Sequence, residues 1–262
     1  MQPDKPLKVA HRGWHREHIE NTLGAFREAY RGGCDMVEFD VQLSRDGVPV
    51  IFHDDDCLRL AGRRECVYEL DWEELRSLEL PGVKTGSKKT AHAAYRIPSL
   101  AEFLSEFGAR PFYLELKVPE AKSGDAAYFQ ELGEKSAAMV LATDRDARTF
   151  LASFHGGILR HLAKRKSFPL LAGIFEKYSR FQEVYSGADP ETAAAIGFYS
   201  VSWDIFRKFL KASPETAGAL DAQNILIWDI NGDKDFRQAE ASGVAGIVTD
   251  DVETLLALEG RD

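Results

Sequence analysis

The stretch that sets the architecture is Met36-Val37-Glu38-Phe39-Asp40-Val41-Gln42-Leu43-Ser44-Arg45-Asp46-Gly47-Val48-Pro49-Val50-Ile51-Phe52-His53. Two runs rich in apolar and β-branched residues, Met36–Leu43 and Val48–His53, flank a short polar segment. A parallel crossover needs roughly a dozen residues or more, so these runs pair as an antiparallel hairpin. Asp46-Gly47 supplies the turn signal. Outward from the hairpin, strand patterns lie at Leu7–Ala10, Phe112–Lys117, Thr149–Phe154, Leu170–Phe175, Ile196–Val201, Ile225–Ile230 and Gly246–Thr249. Helical patterns lie between most of them, at Thr22–Arg31, Asp71–Leu78, Ser99–Phe107, Ala126–Ala142, Ile158–Lys166, Trp203–Lys211 and Lys234–Ala241, and Val252–Leu258 follows the last strand. Such alternation implies a parallel sheet in an α/β fold. With the hairpin's return strand set aside, eight strands remain, and 262 residues suit a TIM (β/α)8 barrel. No Pro-, Gly- or Ser-rich linker interrupts the chain, so residues 1–262 read as a single domain, with about 54–96 a small insertion between barrel repeats.

The formal net charge of −9 argues against a dedicated nucleic-acid binder, whose affinity comes from clustered basic residues. A small anionic substrate remains compatible, because local charge decides that. The segment Lys84–Arg96, with Lys84, Lys88, Lys89 and Arg96 and no acid, is either a solvated loop or a loop that attracts anions to a site mouth. No apolar run is long enough for a membrane span, and no signal peptide is visible at the N-terminus. Cys34, Cys57 and Cys66 are sparse and lack CxxC spacing, which argues against a disulfide framework or a zinc site. The expected compartment is the cytoplasm; the oligomeric state is not encoded in any visible pattern.

Glu38 and Asp40 stand two apart on a strand and therefore share one face. Two buried like charges are costly unless a cation neutralises them, and oxygen-only ligands suit Mg²⁺, Ca²⁺ or Mn²⁺. With the turn centred on Arg45-Asp46, facing positions sum to 91, which sets Asp40 opposite Ile51 and Glu38 opposite His53. A slip of one residue would turn His53 to the other face. In Phe112-Tyr113-Leu114-Glu115-Leu116-Lys117 the two charged residues again share a face. They form either a structural pair or the third metal ligand and a cation for a substrate anion. His11 follows the first strand directly, at the end of a barrel strand where active sites gather.

These residues resemble the glycerophosphodiester phosphodiesterases. The resemblance is carried by His11-Arg12-Gly13, Glu20-Asn21-Thr22, Glu38-Phe39-Asp40-Val41, Asp46-Gly47 with Pro49-Val50, and His53-Asp54. It continues through Ile97-Pro98-Ser99-Leu100, Leu114-Glu115-Leu116-Lys117, Ser153-Phe154, Ile227-Trp228-Asp229-Ile230-Asn231 and Gly246-Ile247-Val248-Thr249-Asp250. It implies a TIM barrel with a small insertion, an acid–base pair His11 and His53, and a metal, Mg²⁺ or Ca²⁺, on Glu38, Asp40 and Glu115. It also implies Arg12 and Lys117 near the phosphate and Trp228 along the wall of the alcohol pocket. Four features depart from the family pattern: Asp229 where Thr is usual, Val252 where Pro is frequent, His155 where Asp or Asn is usual, and the stretch Arg59–Cys66.

The chemistry implied is metal-dependent hydrolysis of a glycerophosphodiester, a small molecule of lipid and glycerol metabolism, to an alcohol and sn-glycerol 3-phosphate. One histidine would take a proton from the nucleophile, either water or a substrate hydroxyl, and the other would protonate the leaving alcohol. Competing readings are a lysophospholipase D acting on lipid head groups, a metal-dependent lyase or isomerase barrel, and a non-catalytic binding protein. The lipid reading needs an exposed apolar groove for an acyl chain. The lyase reading would make Lys117 a base. Loss of a ligand or a histidine would mark a non-catalytic protein, and all five positions are present.

Overall fold

The computed structural model describes residues 5–81, 95–143, 149–165, 170–212 and 224–257. The described residues form the strands β1 (Leu7–Ala10), β2 (Met36–Leu43), β3 (Pro49–Ile51), β4 (Phe112–Leu116), β5 (Phe150–Ser153), β6 (Leu171–Phe175), β7 (Phe198–Ser202), β8 (Ile225–Trp228) and β9 (Gly246–Thr249). Eight of them run parallel in the order β1-β2-β4-β5-β6-β7-β8-β9, and β9 pairs back onto β1 to close a TIM barrel. β3 stands outside the ring, antiparallel to β2. β2 is long enough to serve both neighbours: Met36 and Val37 pair with β1, whereas Val41, Gln42 and Leu43 pair with β3.

Period-two alternation sorts the strand side chains into two populations. Val37, Phe39, Val41, Phe112, Leu114, Ile225 and Ile227 face outward and pack under the helices. Leu7, Val9, Met36, Tyr113, Phe150, Ala152, Ala172, Ile174, Leu226 and Val248 fill the barrel. Each inward row is apolar low in the barrel and turns polar or aromatic toward the C-terminal ends: Val9 leads to His11, Met36 to Glu38 and Asp40, Tyr113 to Glu115, and Leu226 to Trp228. The fold thus gathers chemistry at one mouth.

The described residues also form helices α1 (Leu23–Gly32), α2 (Leu58–Ala61), α3 (Trp72–Ser77), α4 (Leu100–Phe107), α5 (Ala126–Leu141), α6 (Gly156–Ala163), α7 (Tyr178–Tyr185), α8 (Pro190–Ala195), α9 (Trp203–Ala212), α10 (Asp233–Ala241) and α11 (Val252–Ala257). Their ends are specified locally. Thr22 caps α1 and Gly33, at φ 103°, ends it in the left-handed conformation that a side chain would disfavour. Ser99 and Glu102 form a reciprocal capping box on α4. α4 matters for the site. Phe103 packs against Phe39 in a tilted pair, 4.2 Å between centroids, and Phe26 and Phe112 complete the cluster. Phe39 lies between Glu38 and Asp40, so this packing fixes β2 and presents both carboxylates inward.

Between β3 and β4, α2 and α3 cover an apolar patch that includes Val50, Phe52, Cys57, Val67, Leu75 and Ile97. The basic residues Lys84, Lys88 and Lys89 lie outside the described residues. Two sequence expectations need correction. Facing hairpin positions sum to 92, not 91, with Val41 opposite Ile51; Ser44 and Gly47 close a longer turn in which Gly47 N–H donates to Ser44 O. The β6–β7 connection also carries α7 and α8, two short helices that the sequence pattern did not show, broken by Gly187 at φ 78° and Asp189-Pro190.

Candidate active site

Glu115 on β4 is the direct neighbour of Asp40 on β2, two strand positions above the Glu38–Tyr113 pair and on the same face. Carboxylate oxygens of Glu38, Asp40 and Glu115 lie within 4.8 Å of one another, and the three residues are only 3%, 1% and 8% exposed. Buried like charges at this spacing require compensation. Some comes from the chain itself. Lys117 Nζ lies 3.6 Å from Glu115 and 3.8 Å from Asp40. Arg12 Nε lies 3.5 Å from Asp40, and the Arg12 backbone N–H donates to Glu38 at 3.0 Å. Asn21 donates to Asp40 at 2.9 Å. Among the described residues only two permanently charged side chains, Lys117 and Arg12, are paired with the three carboxylates. Burial and the neighbouring Asp40 push Glu38 well above the usual carboxylate range. Burial likewise raises Glu115. Burial would also raise Asp40, but Lys117, His53 and Arg12 outweigh it and hold the group low. An all-oxygen donor set with a surplus of negative charge fits a hard divalent cation.

Arg12 and Asn21 adopt left-handed backbone conformations, at φ 54° and 56°, unusual for residues with side chains. The two turns are tied by Asn21 N–H donating to Arg12 O at 3.0 Å. Strain of this kind gathers at functional sites, and here it aims the Arg12 N–H at Glu38 and the Asn21 amide at Asp40.

His11 Nδ1 meets Asp250 Oδ1 at 2.7 Å, and Asp229 lies 3.5 Å from the same nitrogen. The opposite nitrogen, Nε2, lies 3.9 Å from Glu38. Burial would lower His11, but the Asp250 hydrogen bond and Glu38 outweigh it and push the imidazole up to about 9. Asp250 also meets His15 Nε2 at 3.0 Å. Burial alone would raise Asp250; the two imidazoles hold it far below its ordinary value.

His53 lies beyond the end of β3, so the shifted register does not carry it away. Gln42 donates its side-chain amide to the carbonyls of Phe52, His53 and Asp54, which bends the chain out of strand geometry. His53 then lines the same cavity as His11, Glu38 and Glu115. Its Nδ1 meets Asp54 at 2.8 Å. Arg59 grips Asp54 with one edge and Glu20 with the other, and Glu20 accepts from Arg12 at 2.9 Å. One chain of charges therefore runs from His53 to Asp40.

All eight expected site residues converge: seven line one cavity, and Asp40 lies buried among the other two carboxylates. Sequence reasoning missed Asp250, Asp54, Arg59 and Glu20 as partners, although the inward position of Asp250 follows from Val248. Arg59 lies in the stretch that departs from the family pattern, yet it braces the site. His155 is placed elsewhere: it precedes α6 at the N-cap position without a side-chain cap, packs tilted against Phe129 and meets the Ser123 carbonyl at 3.0 Å. Val252 begins α11 and is buried.

A model of the glycerophosphoryl diester phosphodiesterase family matches residues 11–254. The chain belongs to that family. It is thereby a phosphoric diester hydrolase by family membership. The chain is similar to a glycerophosphodiester phosphodiesterase of Caldanaerobacter subterraneus, 28% identical over 97% of this chain and 98% of that protein. It is also similar to a lysophospholipase D of Mus musculus, 27% identical over 95% of this chain and 80% of that protein. Among solved structures, a glycerophosphodiester phosphodiesterase of Thermotoga maritima superposes with a TM-score of 0.74 at 21% identity, covering 97% of this chain and 98% of the other. A phosphodiesterase of Oleispira antarctica, in complex with the product sn-glycerol-3-phosphate, superposes with a TM-score of 0.73 at 22% identity, covering 97% of each chain. These superpositions share the barrel fold. Among the described residues no helix is long and apolar enough to cross a membrane.

Proposed function

We propose that the chain hydrolyses glycerophosphodiesters to an alcohol and sn-glycerol 3-phosphate, with Glu38, Asp40 and Glu115 holding a divalent cation and His11 and His53 exchanging the protons. The observation that carries this reading is two carboxylate-held imidazoles lining the same cavity as a buried three-carboxylate cluster. Bound there, Mg²⁺ or Ca²⁺ would act as a Lewis acid that withdraws charge from the phosphoryl oxygens. Lys117 and Arg12 add fixed positive charge on the same side, where negative charge grows as the phosphorus is attacked. Asp250 and Asp54 each hold one ring nitrogen, which leaves the other to accept or donate. One imidazole takes the proton of the nucleophile and its counterpart gives one to the departing alkoxide. Trp228 walls the alcohol side.

The chain is read as one catalytic domain over 1–262, in which the insertion at about 54–96 supplies Arg59. Three free thiols fit a reducing cytoplasm. A second reading, hydrolysis of lysophospholipid head groups, is favoured by Phe154, 44% exposed at the cavity wall, and by the similarity to a lysophospholipase D. Phosphorus NMR of glycerophosphocholine turnover tests the first reading. The expected product is sn-glycerol 3-phosphate. Phosphocholine as product would place the cleavage on the wrong ester bond, and turnover of lysophosphatidylcholine alone would favour the second reading.

A further inference from the structure

Asp229 and His15 stand beside His11 and take no part in the reaction proposed above. β9 pairs with β1 on one side and with β8 on the other, so the residues just beyond these strand ends converge: His11 after β1, Asp229 after β8 and Asp250 after β9. Hydrogen bonds tie the three ends together. His11 N–H donates to Thr249 O at 3.0 Å, the Thr249 hydroxyl donates to Ile230 O, and Asp251 N–H donates to Thr249 Oγ1 at 2.9 Å. His11, Asp229 and Asp250 each present one ligand atom, all within 4.8 Å of one another. From His11 Nδ1 the distances are 2.7 Å to Asp250 Oδ1 and 3.5 Å to Asp229 Oδ1. Ligand atoms around a zinc-sized ion lie roughly 3.3 Å apart, so a cation takes the place of the proton between His11 and Asp250 with a small outward shift. Asp250 is also held from its far side, by His15 Nε2 at 3.0 Å. His11 and Asp229 line the catalytic cavity, whereas His15 and Asp250 line a neighbouring one with Asn231 and Asp251. The cluster is thus part of the wall between two cavities and is reached without crossing the catalytic one.

We propose that His11 Nδ1, Asp229 and Asp250, with His15 orienting Asp250, form a second metal site for a divalent transition metal such as Zn²⁺, and that its occupancy inhibits the enzyme. The carboxylate cluster of Glu38, Asp40 and Glu115 is all oxygen and suits a hard cation, whereas an imidazole in the donor set favours zinc, nickel or copper. Two carboxylates balance the charge of the dication. A hydrogen-bonded partner on a ligating carboxylate, here His15, holds that ligand in place when the His11 hydrogen bond is given up to the metal. Ligation displaces the proton from Nδ1. The ring then keeps its hydrogen on Nε2, the nitrogen 3.9 Å from Glu38, and no longer passes between its neutral and protonated forms, so its part in proton exchange stops. The inhibition rests on the role given to His11 above; the metal site does not.

Two measurements on the whole chain, with Mg²⁺ in excess to fill the carboxylate cluster, test this. The first is a Zn²⁺ titration followed by long-range proton–nitrogen NMR of isotope-labelled histidines, with His11→Gln to identify the ring that responds. The His11 Nδ1 signal is expected to move to the position of a metal-bound nitrogen while Nε2 stays protonated. Asp229→Asn and His15→Ala are each expected to weaken this binding by roughly ten- to a hundred-fold. The second follows release of sn-glycerol 3-phosphate from glycerophosphocholine as Zn²⁺ is added, each variant measured against its own zinc-free rate. Zn²⁺ is expected to inhibit, further Mg²⁺ to leave the inhibition in place, and both variants to shift it to correspondingly higher Zn²⁺. A His11 Nδ1 signal that Zn²⁺ leaves unmoved, or equal affinity in native protein and both variants, overturns the site. Inhibition that Mg²⁺ relieves and the variants do not shift puts Zn²⁺ on the carboxylate cluster and overturns the proposal too. Zn²⁺ bound at Nδ1 with no loss of rate supports the site and contradicts the role of His11 in the reaction.

Discussion

Each of the two histidines gives one ring nitrogen to an acid, Asp250 for His11 and Asp54 for His53. That arrangement fixes the rings and leaves a second nitrogen for proton transfer. His11→Ala and His53→Ala should each lower kcat by roughly 10²–10⁴, the usual worth of a general acid or base. Steady-state kinetics on folded variants checks this, and normal turnover in both would contradict the assignment. The principal site residues were visible in the sequence because strand alternation alone places Glu38, Asp40, Glu115 and Lys117 on inward rows and His11 at a strand end. Their partners were not. Asp250 is 239 residues from His11, and Glu20 is 39 from Arg59, so no local pattern announces either contact.

Between residue and barrel, the short loop Ala10–Trp14 carries His11 and Arg12 to the mouth. Gly13 makes this possible. It sits at φ 81°, and a Cβ there would lie 2.8 Å from the carbonyl carbon and Cβ of Ala25 in α1. Gly13→Ala should therefore strain the loop by roughly 1–3 kcal/mol. It should lower Tm and, by displacing His11 and Arg12, reduce kcat; a variant with unchanged Tm and kcat would show that the loop tolerates the side chain. At this scale the hairpin was legible from its short connection and its Asp-Gly turn, whereas its register was not. The turn takes an extra residue, and the Gln42 amide then bends residues 52–54 away from strand geometry. α7 and α8 escaped notice because a Gly and an Asp-Pro break one helical pattern into two short ones.

At the scale of the whole molecule, eight parallel strands bring carboxylates from β2 and β4 together where burial opposes their charge. A cation held by this cluster should consequently make the protein more stable than its metal-free form. A cation present at a hundred times its Kd should add about 2.7 kcal/mol by mass action, seen as a Tm rise on adding Mg²⁺ or Ca²⁺ and a fall on chelation. Glu38→Gln should raise the Tm of chelated protein at a pH high enough to ionise the up-shifted Glu38, because it then removes one buried like charge, and shrink the increment produced by the cation. An unchanged increment in Glu38→Gln would remove that residue from the ligand set. The barrel itself was legible from the alternation of strand and helix patterns, since each βα unit is specified locally.

The most direct test is release of sn-glycerol 3-phosphate from glycerophosphocholine in the presence of Mg²⁺, Ca²⁺ or excess chelator, for native protein and Asp40→Asn. Release that requires a divalent cation, vanishes with chelator and falls by orders of magnitude in Asp40→Asn is the predicted result. Full activity in excess chelator, or an Asp40→Asn variant as active as the native chain at the same cation concentration, would contradict a metal-assisted phosphodiesterase built on Glu38, Asp40 and Glu115.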